Sequence, residues 1–484
     1  MEEYDVAVIG GGLLGCFALR ALARHRVRAL LLEAREDVCS EISRANTAIV
    51  YAGYDMKPGS LKAAMTVRAA RSFETLCREL DVRYSQCGAV MVCFGENGYQ
   101  RLQKKLRQGA ENGVAGLKLL SGREVLELEP NLSPNVRAGL YAPQCGTAIP
   151  WELGLAAAGN AIANGGKIRL NAAVTDIRDS GGGYVVTYGN QRLSAKSVIN
   201  CAGMNAAKIS EMAFAPKVRI VRTAGNYYVL DTKAGAFVKH VVFHEPEKKG
   251  KGLTLVPSVG GNILIGPTER KYDCSDDYSV TSEDLRQLRE LVFEVIPSLP
   301  MEHIIRSFGA VRPNPYYVEN GGLSEKSIND FCVLENAPNF VSLIGVKTPG
   351  MTCSAELGRH VADKIAAYLG AARNGNFNPA QRRSAHRAQE LTFDERRQLV
   401  AANPAYGSIA CRCREVSEGE IIEAIRGPLG AATVDGVKRR TGAGMGRCQG
   451  GFCQQRVIEI LARERGLSKA SVTKNGGKSY ILRS

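Results

Sequence analysis

The sequence predicts an α/β protein: a doubly wound nucleotide-binding domain, interrupted by an antiparallel-sheet domain and followed by a small helical C-terminal domain. Three observations lead there. The first thirty-three residues read strand, glycine turn, helix, strand. A strand-rich stretch over 218–332 separates that opening from a buried strand and helix at 340–370. The last eighty or so residues hold four cysteines in two tight pairs.

In chain order, the apolar run "VAVIG" ends at Gly10, "LLGCFALRALARH" carries a helical apolar stripe, and "VRALLLE" is a second buried strand. From 60 to 112 the pattern is helical apart from the strand "GAVMVCF". Residues 166–204 alternate as strands through "GGKIRLNAAVTDIRD", "GYVVTYG" and "KSVINCAG". The inserted sheet then takes "NYYVLD", "LTLVPSV" and "NILIGP", with a helix over "SEDLRQLRELVFEVIPSL". "FVSLIGV", the turn "KTPG" and a helix return the chain to the first fold. The expected boundaries are 1–375 for the two-part unit, 376–404 for a charged helical linker and 405–484 for the cysteine-bearing domain. Within the unit, the nucleotide-binding parts are about 1–75, 150–215 and 335–375, and the sheet domain is mainly 76–149 and 216–334.

Composition narrows the class. With 484 residues, 45% of them hydrophobic, the chain can bury a core in each domain. It lacks eighteen consecutive apolar residues, and "MEEYD" runs straight into a strand, so neither a membrane span nor a signal peptide is expected and the cytoplasm is the expected location. Most of the fourteen cysteines are scattered singly in apolar or loop contexts and read as reduced; Cys16, Cys77 and Cys201 are expected as core fillers. The net charge of +15 suits an anionic small substrate, a peripheral association with a membrane, or an acidic partner, and no nucleic-acid module is present. Lys438, Arg439 and Arg440 stand where they can offset charge on a cluster or meet an acidic redox partner; a solvated basic face is the plain alternative.

Gly10, Gly12 and Gly15 form G-x-G-x-x-G between the first strand and first helix, so backbone amides can approach a pyrophosphate at a helix N-terminus. Glu33 ends the second strand, where its carboxylate can accept hydrogen bonds from ribose hydroxyls. Together they predict a Rossmann-like dinucleotide site, with NAD and FAD both open at this point. The cysteines make a second site. Cys411 and Cys413 form C-x-C, and Cys448 and Cys453 form C-x-x-x-x-C. Four thiolates complete a [2Fe-2S] cluster, two per iron; a structural zinc is the competing reading, although these spacings are unlike the common C-x-x-C zinc pairs.

Longer stretches carry family resemblances. With the glycine motif, "EISRANTAIVYAGYDMKPGSLKA", "VINCAGMNAAKI" and "LIGVKTPGMTCSAELG" resemble the FAD-dependent oxidoreductases of the D-amino-acid oxidase superfamily over roughly residues 4–370. The nearest branch holds glycerol-3-phosphate dehydrogenases and 2-hydroxyglutarate oxidases. That resemblance implies FAD as cofactor, with Ser43, Arg44 and Asn46 near the diphosphate and flavin, the backbone of Val174 at the adenine, and Ala202 and Gly203 along the dinucleotide. It implies that Gly345 to Thr352 runs under the isoalloxazine, with Gly350, Met351 and Thr352 opening a helix. "CRCREVSEGEIIEAI" through "VDGVKRRTGAGMGRCQGGFCQQRVIEIL" resembles the bacterioferritin-associated-ferredoxin-like [2Fe-2S] domain over roughly 406–465. Gly446, Gly450 and Gly451 there fit a loop wrapped around an inorganic core, whose amides donate to sulfur.

For the substrate, Lys347 in "GVKTPG" is similar to the lysine of the glycerol-3-phosphate dehydrogenases, and Arg312 in "FGAVRPNP" resembles the arginine that faces the substrate anion in the superfamily. Tyr51 departs from the pattern, standing where close relatives have histidine before Ala-Gly; it can hydrogen-bond but is a poor base, since an ordinary phenol titrates near pH ~10. Tyr227 is a further candidate to line the pocket. The expectation is a dehydrogenase of a small anionic secondary alcohol, glycerol 3-phosphate favoured, that hands electrons singly through the cluster to an acceptor protein or a quinone-linked partner. An amino- or imino-acid dehydrogenase and a redox- or iron-sensing binding module with a degenerate flavin fold are the alternatives.

Overall fold

The computed structural model describes residues 1–246, 252–271, 279–381 and 386–482. The chain begins with β1 (Glu2–Ile9), α1 (Leu13–Leu22) and β2 (Ala29–Leu32). β1 and β2 run parallel, with Val6 beside Ala29 and Ile9 beside Leu32. Val6–Ile9 of β1 and all of β2 are apolar and buried on the two faces, as a strand covered from either side must be. They join an eight-stranded sheet in which β1 also pairs in parallel with Gln191–Asn200, and that strand with Phe340–Ile344. Helix Ser354–Tyr368 packs against α1, burying Leu357, Val361 and Ile365 with Val8, Leu19 and Leu31 in one core.

The inserted domain is a ten-stranded, mostly antiparallel sheet. Its spine is the long pairing of Val218–Leu230 with Ile304–Glu319, in which Thr223 lies opposite Arg312 and Tyr227 opposite Phe308. Helix Ser282–Val295 covers one face through Leu288, Val292 and Val295, packed on Leu230, Leu255 and Ile263. Ala89–Cys93 and Ala138–Ala142 join the same sheet, so residues far apart in sequence line one side of the flavin fold.

The stretch expected as a helical linker is helical only in its second half, over Phe393–Ala402, where Thr392 and Glu395 make a capping box. Residues 382–385 of that expectation lie outside the described residues. The first half is an extended strap: the carbonyls of Asn378 and Ala380 accept from Asn160 Nδ2 at 3.0 and 3.1 Å, and Arg24 stacks on Phe377 at 4.4 Å. Asn376, Asn378 and Pro379 fall within four residues there, and backbone-capturing amides compete with a helix. Helices Glu418–Arg426, Val434–Thr441 and Gln454–Arg465 then build a separate core around Ile421, Val437 and Leu461.

Candidate active site and cluster site

At the β1–α1 turn, Gly10 has φ +98°, and a Cβ there would lie 2.6 Å from the carbonyl oxygen of Cys201, so only glycine brings the two strands and the helix start this close. Gly12 is the N-cap of α1, whose first-turn amides have no acceptor within the helix. Ser43 Oγ accepts from Leu13 N–H at 3.0 Å, and Asn46 bonds Ser43 O and Ala48 N, so both brace the turn that carries Arg44. Glu33 takes amide hydrogen bonds from Gly11 at 2.5 Å and Arg35 at 2.7 Å, which aim its carboxylate while burial pushes its pKa up. Val174 starts the strand Val174–Asp179 beside this loop. Gly203, at φ +56°, follows Ala202 and has open space where a Cβ would point. A tight glycine turn at a helix start, helix amides without a side-chain cap and an oriented acid fit a dinucleotide diphosphate and ribose.

From Gly345 the chain turns through Lys347 O···H–N Gly350 at 2.7 Å and Pro349 O···H–N Cys353 at 3.1 Å. The helix begins at Ser354, with Cys353 as its N-cap, so Gly350, Met351 and Thr352 form the turn ahead of the helix rather than its first residues. The reason is visible at Thr352, 1% exposed: its hydroxyl accepts from Tyr51 N–H at 3.1 Å and donates to Ile49 O, which ties the turn sideways to the strand Ile49–Val50.

Two of the four substrate candidates line one cleft, and Tyr51 and Tyr227 are not among the residues that line it. Arg312 and Lys347 line an open cleft of about 1390 Å³, between the two domains, with Asn314, Lys62, Asp55 and Glu269. Lys347 Nζ donates to Asn314 Oδ1 at 2.9 Å. Burial, then the charges of Lys62 and Arg312, lower its pKa. Arg312 Nη1 is 3.1 Å from Glu269 Oε1, a half-exposed carboxylate that an incoming anion can displace. Tyr51 lies within the fields of Arg312 and Asp55; burial foremost, then Asp55, push its phenol up to about 12, so at neutral pH it is a hydrogen-bonding group and no base. Tyr227, buried, stacks on Phe308 at 4.6 Å and also feels Arg312, and burial raises its pKa.

Sequence reasoning missed Asn314, Lys62, Asp55 and Glu269. Asn314 sits two residues after Arg312 on the same strand, hence on the same face, and was within reach of a period-two argument. Lys62, 7% exposed and bonded to Asn329 O, and Asp55, whose Oδ1 is buried without a partner among the described residues, reach the cleft only through folding. Burial raises Asp55's pKa.

In the C-terminal domain, Cys411 and Cys413 Sγ are 4.0 Å apart, Cys413 and Cys448 Sγ also 4.0 Å, and Cys453 hydrogen-bonds Cys411. All four thiols meet although thirty-four residues separate the pairs. The amides of Phe452 and Gly450 lower the pKa of Cys448, and the bond to Cys411 lowers that of Cys453; burial and the neighbouring sulfurs push Cys413 up to about 11. Mutual repulsion of thiolates at this spacing is what a cationic core relieves. A Cβ on Gly446 would overlap Cys413 Sγ, so the loop closes on the sulfurs as a cradle. Residues and geometry therefore fit a four-thiolate iron centre.

One expectation is corrected. Arg439 and Arg440 face inward: they hold Asp37, with hydrogen bonds of 2.6, 2.7 and 2.9 Å, and all three side chains are buried. Asp37 follows Glu33 by four residues, so the pair fastens the C-terminal domain to the nucleotide loop. Asp435 lies 3.8 Å from Arg44 at the same seam, and half-buried Lys438 adjoins it.

Comparison with known proteins agrees with this geometry. Residues 5–364 match the family described as FAD dependent oxidoreductase, and 409–463 the BFD-like [2Fe-2S] binding domain. A glycerol 3-phosphate dehydrogenase of Caloramator mitchellensis is 39% identical over 99% of this chain and 98% of its own length. A glycerol 3-phosphate oxidase of Mycoplasma pneumoniae is 28% identical over 74% of this chain and 94% of its own. The FAD-bound, dithionite-reduced structure of the L-alpha-glycerophosphate oxidase from that organism superposes with a TM-score of 0.71 at 26% identity, covering 78% of this chain and 98% of the other. No helix among the described residues is long and apolar enough to cross a membrane. The chain belongs to the FAD-dependent oxidoreductases, with FAD and a C-terminal [2Fe-2S] cluster as its cofactors.

Proposed function

We propose that the chain is a dehydrogenase of glycerol 3-phosphate whose electrons leave through the iron-sulfur domain. The observation that carries the reading is the cationic cleft, in which Arg312 and Lys347 face one space beside the turn from Gly345 to Thr352. The full-length likeness to a glycerol 3-phosphate dehydrogenase supports it.

Arg312 offers a planar fork of donors to the phosphate and releases Glu269 to do so. Lys347, held by Asn314, keeps an ammonium at the hydroxyl-bearing end, where it favours alkoxide-like charge on the oxygen of the carbon being oxidised. Asp55 brings a carboxylate to the same cleft, and its raised pKa suits it to receive the hydroxyl proton. Tyr51 and Tyr227 lie buried within the field of Arg312, as protonated phenols that take no part in proton transfer. FAD, when bound, supplies hydride acceptance. Gly10, Gly12, Gly15, Glu33 and the Ser43–Asn46 turn hold its diphosphate and ribose side, and Gly345 to Thr352 its ring side.

The test is anaerobic bleaching of the flavin absorbance with glycerol 3-phosphate, 2-hydroxyglutarate, proline derivatives and D-amino acids. Glycerol 3-phosphate should bleach fastest. Lys347→Ala and Arg312→Ala should each slow that step about 10- to 100-fold, the loss expected for one charge-assisted hydrogen bond, while FAD stays bound. Unchanged rates in both variants would remove these residues from the mechanism.

A further inference from the structure

The four cluster cysteines are not equivalent. Cys411 and Cys453 are buried, at 1% and 3% exposure, whereas Cys413 is exposed and Cys448 partly so. The inner pair packs into the core of the C-terminal domain with Ile421, Val437 and Leu461, and Lys438 lies within the field of Cys453. The outer pair, 4.0 Å apart, reaches solvent. Electron transfer between proteins needs a short gap, so the outer edge is where an electron leaves.

What surrounds that edge is unlike a plain solvated loop. Phe452 immediately precedes Cys453, is 88% exposed, and its own amide serves Cys448. A lone exposed aromatic is unremarkable in general, but this one stands on the ligand loop. Arg412 sits between Cys411 and Cys413, exposed and without an ion pair among the described residues. Arg447 precedes Cys448, is 59% exposed, and pairs at 3.9 Å with Asp231 of the inserted domain. Glu415 is the one exposed acid in the Cys411–Glu415 turn. An apolar centre with arginines around it has the makeup of a protein interface: an aromatic anchor for affinity, rim charges for steering. It is small and lacks the broad apolar face of a helix that lies in a bilayer.

We propose that Phe452, with Arg412 and Arg447 around the outer pair Cys413 and Cys448, is the docking surface for an acidic one-electron carrier protein that serves as the electron acceptor. This rests on the oxidoreductase reading above. The alcohol loses two electrons and two protons, one from carbon and one from its hydroxyl, in becoming a ketone; two carrier molecules each gain one electron, and the protons go to water.

The experiment uses the full-length protein with both cofactors, reduced anaerobically with stoichiometric dithionite so that the result does not depend on the substrate being glycerol 3-phosphate. The acceptors are a flavodoxin (acidic), cytochrome c (basic), phenazine methosulfate, and phosphatidylglycerol vesicles carrying a quinone. Flavodoxin reduction should fall as salt rises. Phe452→Ala and Arg412→Glu should each slow it at least about tenfold at low salt, and Arg412→Glu should flatten the salt dependence and favour cytochrome c. Rates with phenazine methosulfate should stay unchanged in both variants. Equal flavodoxin rates in wild type and variants would overturn the proposal. So would a parallel loss with phenazine methosulfate, which would mean that the residues set the cluster's potential, or a loss confined to the vesicles, which would mean a membrane surface.

Discussion

Tyr51 stands where the family resemblance implies a histidine, and its surroundings make it a hydrogen-bonding group and no base. Its backbone N–H holds Thr352, and its phenol stays protonated across the physiological range, so proton acceptance passes to another group while the strand keeps its register. Lys347 sets the alkaline limit. Because burial and the cations Lys62 and Arg312 lower its pKa, it loses its proton below the ~10.4 of an ordinary lysine. The rate of flavin bleaching per substrate concentration should therefore fall as pH rises, with a midpoint under that value. Lys347→Arg, which stays charged, should move the fall upward; an unmoved limb would assign it elsewhere. Gly446 is a second residue-scale point. Gly446→Ala should lose the cluster, read as iron content and visible absorbance, with FAD retained, because the added methyl competes with Cys413 for space. At this scale the sequence was most legible where chemistry is local. The three glycines, Glu33 and the four cysteines can be read because spacing alone dictates what they approach. Asp55 and Lys62 could not, since nothing in their neighbourhood says that the chain will fold them beside Arg312.

Two elements decide how the sites are joined. The strand Ile304–Glu319 carries Phe308, Arg312 and Asn314 past the flavin side of the sheet, so one element supplies the stacking partner of Tyr227, the anion-binding guanidinium and the clamp on Lys347. The sequence marked "FGAVRPNP" only as an arginine-bearing element; the strand's pairing over thirteen positions with Val218–Leu230, which fixes where Arg312 points, is a long-range fact. Helix Val434–Thr441 does the joining, through Arg439 and Arg440 on Asp37. Burial alone would raise the pKa of Asp37, but Arg440 and Arg439 outweigh it and hold it below the ordinary carboxylate range. The stabilisation is thus complete above pH ~3.9 and is lost as pH falls through the depressed value. Asp37→Asn leaves two buried arginines without their counter-charge and should cost about 3–5 kcal/mol. Urea unfolding followed at the cluster absorbance would show it as an earlier transition, and an unshifted midpoint would mean that the domains are held elsewhere. Basic residues in that helix suggested an outward-facing patch, because sequence does not show which side of a helix a second domain covers.

At the scale of the molecule, the two cofactor sites are built by separate cores and joined by a seam at Asp37. The strap from Asn374 to Gln381 belongs to that arrangement: it is stitched to Arg24, Asn160 and Glu79 along its length, and the domain beyond is pinned again at Asp37. A carrier arm that visits two stations in turn needs slack in its tether, and this one has been taken up. The iron centre therefore rides at a constant separation from the nucleotide fold, and passage of charge within the chain is governed by distance and driving force rather than by how quickly a loose domain can swing.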